Sequence, residues 1–121
     1  MADQAGVRRI ALTLPGVEEA AGEFAFRVAG KLIVWAWSKR EEPKGPRVAQ
    51  RDVAAVRVAN LREKEALLAA DPAKFFTEAH YDGYPTVLVR LAAVDPGELR
   101  ELLTDAWRTK APKKLVKESG L

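Results

Sequence analysis

Cysteine is missing from the 121-residue chain, which removes disulfides, thiolate metal ligands and a cysteine nucleophile at once. Histidine occurs once, at His80, and serine only at Ser38 and Ser119. General acid–base work needs a group titrating near neutral pH, and a nucleophilic hydroxyl needs a base beside it, so the inventory for catalysis is thin. Neither GxSxG nor HExxH nor a phosphate-cradling glycine loop occurs. A closed zinc or iron site wants several converging ligands, whereas the adjacent pairs Glu18-Glu19 and Glu41-Glu42 would point to opposite faces of an extended strand. The expectation is a non-enzymatic binding protein with no catalytic residue, no metal site and no cofactor. Long apolar runs are also missing. The start MADQAGVRRI does not read as a secretory signal and no stretch approaches membrane-spanning length, so a cytoplasmic location and no membrane contact are expected.

What is present is an ordinary globular balance, 48% hydrophobic against 31% charged, in a chain of single-domain length. Net charge is only +3, but it is unevenly placed. From Arg108 onward five basic residues face one acidic residue, for +4, and the remainder sums to −1. The expected division is one domain over residues 1–112 and a basic carboxy-terminal tail over 113–121.

Val7, Ile10, Ala11 and Leu14 follow helical spacing, with Asp3 as cap and Pro15-Gly16 as stop. Phe24, Phe26 and Val28 alternate as in a strand, Ala29-Gly30 punctuates, and Leu32 to Trp37 follows, so the pair reads as a hairpin. Ser38 to Arg47 holds no apolar residue and is expected to be loop. Within Val48 to Ala59 a strand is expected around Ala55 to Val58. Asn60 and Glu63 open a second helix to Ala70, with Leu61, Leu67 and Leu68 as its apolar face. Phe75-Phe76 and Thr86 to Leu91 form a second hairpin across the turn His80 to Pro85. Asp95, Pro96 and Glu98 open a third helix whose face is Leu99, Leu102, Leu103, Ala106 and Trp107. The fold class is α+β, an antiparallel sheet built from hairpins with helices packed on one side, in the order α-β-β-β-α-β-β-α.

The segments AFRVAGKLIVW, EALLAADPAKFF, TVLVRLAAVD and ELRELLTDAWRTKAPKKL, in this order and spacing, resemble the MmcQ/YjbR family from Leu14 to Leu115. That resemblance implies a CyaY-like, frataxin-related fold and a DNA-binding label. The chain departs from the family's pattern twice. Gly22-Glu23-Phe24-Ala25-Phe26 stands where relatives often carry a Gly-His-Pro-like segment, and Asp82-Gly83-Tyr84-Pro85 where they often carry a Gly-His-Gly-Trp-like turn. Frataxin-like iron binding uses an acidic ridge that includes the first helix; here that helix carries Arg8 and Arg9, so iron binding does not transfer.

Two sites are expected from the residues. Lys39, Arg40, Lys44 and Arg47 in the charged loop, with Lys113, Lys114 and Lys117 at the end, could neutralise DNA phosphates in a weak, sequence-independent way. Alternatively, Arg27, Lys31, Trp35, Trp37, His80, Tyr81 and Tyr84 could form an aromatic and basic sheet face for a protein or small molecule. At least one of Trp35 and Trp37 is expected in the core. Convergence of the basic residues on one surface would favour DNA; scattering would favour the sheet face. A pocket joining His80 to a buried carboxylate would favour an enzyme.

Overall fold

The structure, a computed structural model, describes residues 2–121. Its elements are α1 (Gln4–Ala11), β1 (Val17–Glu19), β2 (Ala25–Val28), β3 (Lys31–Arg40), β4 (Arg47–Arg57), α2 (Leu61–Ala70), β5 (Phe75–Phe76), β6 (Thr86–Arg90), α3 (Pro96–Lys110) and α4 (Lys113–Ser119). The six strands make one antiparallel sheet in the order β1-β2-β3-β4-β6-β5. The protein is therefore α+β with four helices, none of them long and apolar enough to cross a membrane.

Three helix starts follow from short polar side chains. Asp3 accepts from Gly6 N at 2.8 Å, Asn60 from Glu63 N at 2.9 Å and Asp95 from Glu98 N at 2.8 Å, each filling an amide that the first turn leaves unpaired. At Asp95 the Glu98 side chain returns the bond, and Pro96 follows at the first helical position. The β2–β3 turn places Ala29 and Gly30 both at positive φ, 51° and 77°, the twist a two-residue hairpin needs.

The larger core lies between the helices and one sheet face. Val7, Ile10 and Ala11 of α1 and Leu99, Leu103, Ala106 and Trp107 of α3 pack on Phe26, Val28, Val34, Ala54, Val56, Val87 and Val89. Leu67 and Leu68 of α2 and Leu115 and Val116 of α4 join its margin. Trp107 is fully buried, and its Nε1 donates to the Pro15 carbonyl at 2.8 Å, so the largest apolar side chain carries a satisfied polar end. A second, smaller cluster occupies the opposite face: Trp37, Val53, Ala55 and Leu88, with Trp35, Phe76 and Tyr81 against it. Val53 to Val56 are consequently all buried, because β4 is covered on both faces.

Several sequence expectations need correction. Ser38 to Arg47 is not all loop, since β3 continues to Arg40 and pairs with β4 from Arg47 onward; backbone hydrogen bonds hold a hairpin arm whose side chains face water. The strand expected around Ala55 to Val58 is the inner end of an eleven-residue strand. β1 and α4 were not anticipated, so the expected element order lacks one strand and one helix. The segment read as a tail contains α4, with Leu115 and Val116 turned to the core. Leu61 is 45% exposed, and the buried residue of α2 is Lys64 at 5%. Its Nζ donates to the carbonyls of Tyr81 and Tyr84 at 2.7 and 3.0 Å, fastening the turn before β6 to the helix.

Candidate functional site

The sheet face away from the main core carries a row of registered partners: Ala25, Trp35, Ala55, Leu88 and Phe76, one from each of five neighbouring strands. Cations sit over its aromatic rings. The guanidinium carbon of Arg57 lies 5.3 Å from the Trp35 ring centroid, that of Arg90 4.1 Å from Phe76, and Lys39 Nζ 5.6 Å from Trp37. Trp37 and Phe76 meet edge to face at 5.4 Å, and Trp37 is the tryptophan buried in this smaller cluster.

Beside the row, against Trp35, lies a cavity of about 400 Å³ lined by Trp35, Arg57, His80, Tyr81, Tyr84 and Thr86. Trp35 Nε1 donates to Tyr81 Oη at 3.2 Å, and His80 stands edge-on to Tyr81 at 5.0 Å. Arg57 Nη1 donates to Thr86 Oγ1 at 3.2 Å, and Thr86 is 1% exposed, so the hydroxyl is a fixed anchor. Tyr84, by contrast, is 58% exposed and forms the outer rim. Lys64 supports this wall from behind through its two bonds to the Tyr81 and Tyr84 carbonyls. Burial holds the Lys64 ammonium below its ordinary pKa, with Asp82 opposing in part. The cavity holds a histidine, but none of its lining residues is a carboxylate.

The expected sheet-face residues are thus only partly gathered. Trp35, His80, Tyr81 and Tyr84 share the cavity. Arg27 lines a neighbouring cavity of about 740 Å³ beside Phe24 and Trp35, Trp37 is buried, and Lys31 is exposed at the start of β3. The two segments that depart from the family pattern line different cavities, Gly22 to Phe24 in one and Tyr84 in the other, which share Trp35. Arg57 and Thr86 were missed. The signal for Arg57 was present: it is the only charged residue in the run Val53 to Val58.

The expected phosphate contacts do not converge. Lys39, Arg40, Lys44 and Arg47 lie at the β3–β4 tip, beside Glu41 and Glu42. Arg40 Nη1 donates to the Gly45 carbonyl at 3.4 Å, and Arg47 donates to the Ser38 carbonyl and lies 3.7 Å from Glu78. Lys113, Lys114 and Lys117 are exposed on α4, with Lys114 4.0 Å from Glu118. Leu115 of that helix sits over Gly16, next to Val28 and so at the Lys31 end of β3. At about 3.3 Å per residue, ten-residue β3 separates the two basic groups by roughly 30 Å.

The family model for YjbR matches residues 12–109. The chain belongs to the YjbR family. Uncharacterized proteins of Mycobacterium bovis and Mycobacterium tuberculosis are 40% identical to it over 122 residues, covering 96% of this chain and 94% of theirs. No solved structure matches. Among the described residues of this YjbR domain, no group of three histidines or carboxylates is placed to hold a metal ion.

Proposed function

We propose that this YjbR-family protein is a cytoplasmic binding module without chemistry of its own, and that it takes a small molecule in the cleft around Trp35. The observation that carries the reading is the meeting of Trp35, Arg57, Tyr81, Tyr84 and Thr86 around one cavity on the sheet face that bears no helix of the main core. Cavities of a few hundred Å³, walled by aromatic side chains with a few fixed polar groups, are the usual form of small-ligand sites. The separation of the basic residues supports this reading over phosphate contacts along DNA, which need cations on one surface. In the same reading the sheet with its helices on one side is the CyaY-like arrangement, used for its opposite face.

The test is a titration of the full chain, isotope-labelled for NMR, with a fragment collection and separately with short double- and single-stranded DNA at low and moderate salt. Fragment-induced shifts centred on Trp35, Tyr81 and Thr86 are expected. Salt-sensitive DNA binding that moves Lys113, Lys114 and Lys117 and leaves the cleft still would overturn the proposal in favour of phosphate recognition.

A further inference from the structure

Resting on that reading of the cleft, we infer that its ligand is a planar oxyanion: a flat ring carrying a carboxylate or phosphate group, with the oxyanion on Arg57. Arg57 is half-buried, and no carboxylate lies within ion-pair distance of it among the described residues. Its Nη1 is taken by Thr86 Oγ1, while its Nε is buried and has no hydrogen-bond partner among the described residues. A cation drawn out of water is expensive unless an anion and hydrogen bonds compensate, and stacking on Trp35 supplies only part of that. The guanidinium is nevertheless held in one place, by a buried hydroxyl on β6 and an indole face on β3.

Such a fixed fork has the geometry that carboxylate and phosphate oxygens match, and Lys in its place would offer only a point charge. No acidic residue lines the cavity to compete for it. The flat part of the ligand follows from the other wall. Tyr84 is the most exposed of the large hydrophobic side chains in the described structure, and it stands with Tyr81 and His80 on the rim. An aromatic ring stacked there would bury apolar surface and leave its anionic group directed to Arg57.

The experiment uses two matched pairs of probes, benzoate with benzamide and adenosine monophosphate with adenosine, titrated into the full chain. The three tryptophans give three indole N–H signals, assigned with Trp35→Phe and Trp37→Phe variants. Trp35 reports the cleft, and Trp107, bonded to Pro15 on the far side of the sheet, is the internal control. The expected result is saturable movement of the Trp35 signal by benzoate, by the nucleotide or by both, at least about tenfold tighter than by the uncharged partner. Arg57→Gln should abolish that preference and Arg57→Lys retain a fraction of it, with the Trp107 signal of each variant confirming the fold. Equal binding of charged and uncharged partners would overturn the oxyanion while leaving the cleft as a ligand site. A Trp35 signal unmoved by all four probes also overturns it, and a wider fragment screen that leaves Trp35 still is what overturns the cleft itself.

Discussion

The indole nitrogen of Trp35 donates to the hydroxyl of Tyr81 across 3.2 Å, tying strand β3 to the turn that precedes β6. Forty-six residues separate the two, so the bond fixes one wall of the cleft to its floor. Replacing Tyr81 with Phe keeps the ring, which packs on the smaller core, and removes the only acceptor the indole has within reach among the described residues. The expected loss is about 0.5–1.5 kcal/mol of unfolding free energy, with a large shift of the Trp35 indole resonance and little change at Trp107. Unchanged stability together with an unmoved Trp35 signal would mean that the bond does not form in solution.

Lys64 gives the same turn its second support, and it makes that support depend on pH. Desolvation holds its folded pKa below 10.5, with Asp82 partly opposing. In the alkaline window beneath 10.5 the unfolded chain therefore binds more protons than the folded one. Stability contributed through Lys64 rises with pH across that window as the buried charge is relieved. Lys64→Met removes the charge but strips the Tyr81 and Tyr84 carbonyls of their donor, at about 1–3 kcal/mol near neutrality. The unfolding free energies of the two proteins, measured by urea titration between neutral and alkaline pH, should diverge as pH rises. Curves that run parallel would show that Lys64 titrates at its ordinary value.

The helices were legible in the sequence because each has a local signature: Asp3, Asn60 and Asp95 as caps, and the Leu99 to Trp107 stripe at helical spacing. The hairpins around Ala29-Gly30 and before Thr86 were legible for the same reason. What was hidden is non-local. The outer arms of β3 and β4 carry mostly polar side chains, with Val48 and Ala49 themselves exposed, and are held by backbone pairing, which leaves no alternation to read. β1 offers only Val17 as an apolar residue, and α4 follows Pro112 with no side-chain cap. In the cleft, Trp35, His80, Tyr81 and Tyr84 were visible as residue types, but Arg57, Thr86 and Lys64 matter through partners 17 to 29 residues away.

Asp95 places an acid-sensitive element at the start of α3. Its carboxylate accepts from the Glu98 amide at 2.8 Å, and that bond, followed by a smaller one from Gly97, holds its pKa below 3.8. A carboxylate depressed on folding contributes stability that is present above the unfolded value and is lost as pH falls through the folded one. Asp95→Asn retains an acceptor without the charge, so it should stay close to the parent at pH 7 and lose less on acidification. Thermal midpoints from pH 2 to 6 decide this; a variant that falls as steeply as the parent places the acid sensitivity elsewhere.

Gly16 and Leu115 provide the most direct check that the carboxy-terminal segment is part of the fold. Gly16 has φ +74°, and a Cβ there would stand 2.9 Å from Leu115 Cδ2. Gly16→Ala therefore carries two penalties, about 1–2 kcal/mol for the left-handed backbone and a further one for pushing Leu115 off the core. Only the second depends on α4. In a Leu115→Ala background the glycine substitution should be less harmful by about 0.5 kcal/mol or more, a coupling typical of residues in contact. Amide exchange in α4 should also accelerate in Gly16→Ala, because displacing Leu115 removes one of its two anchors, the other being Val116. Strict additivity, with exchange in α4 unchanged, would mean that Lys113, Lys114 and Lys117 belong to a free basic tail, and the geometric argument separating them from the hairpin tip would fall with it.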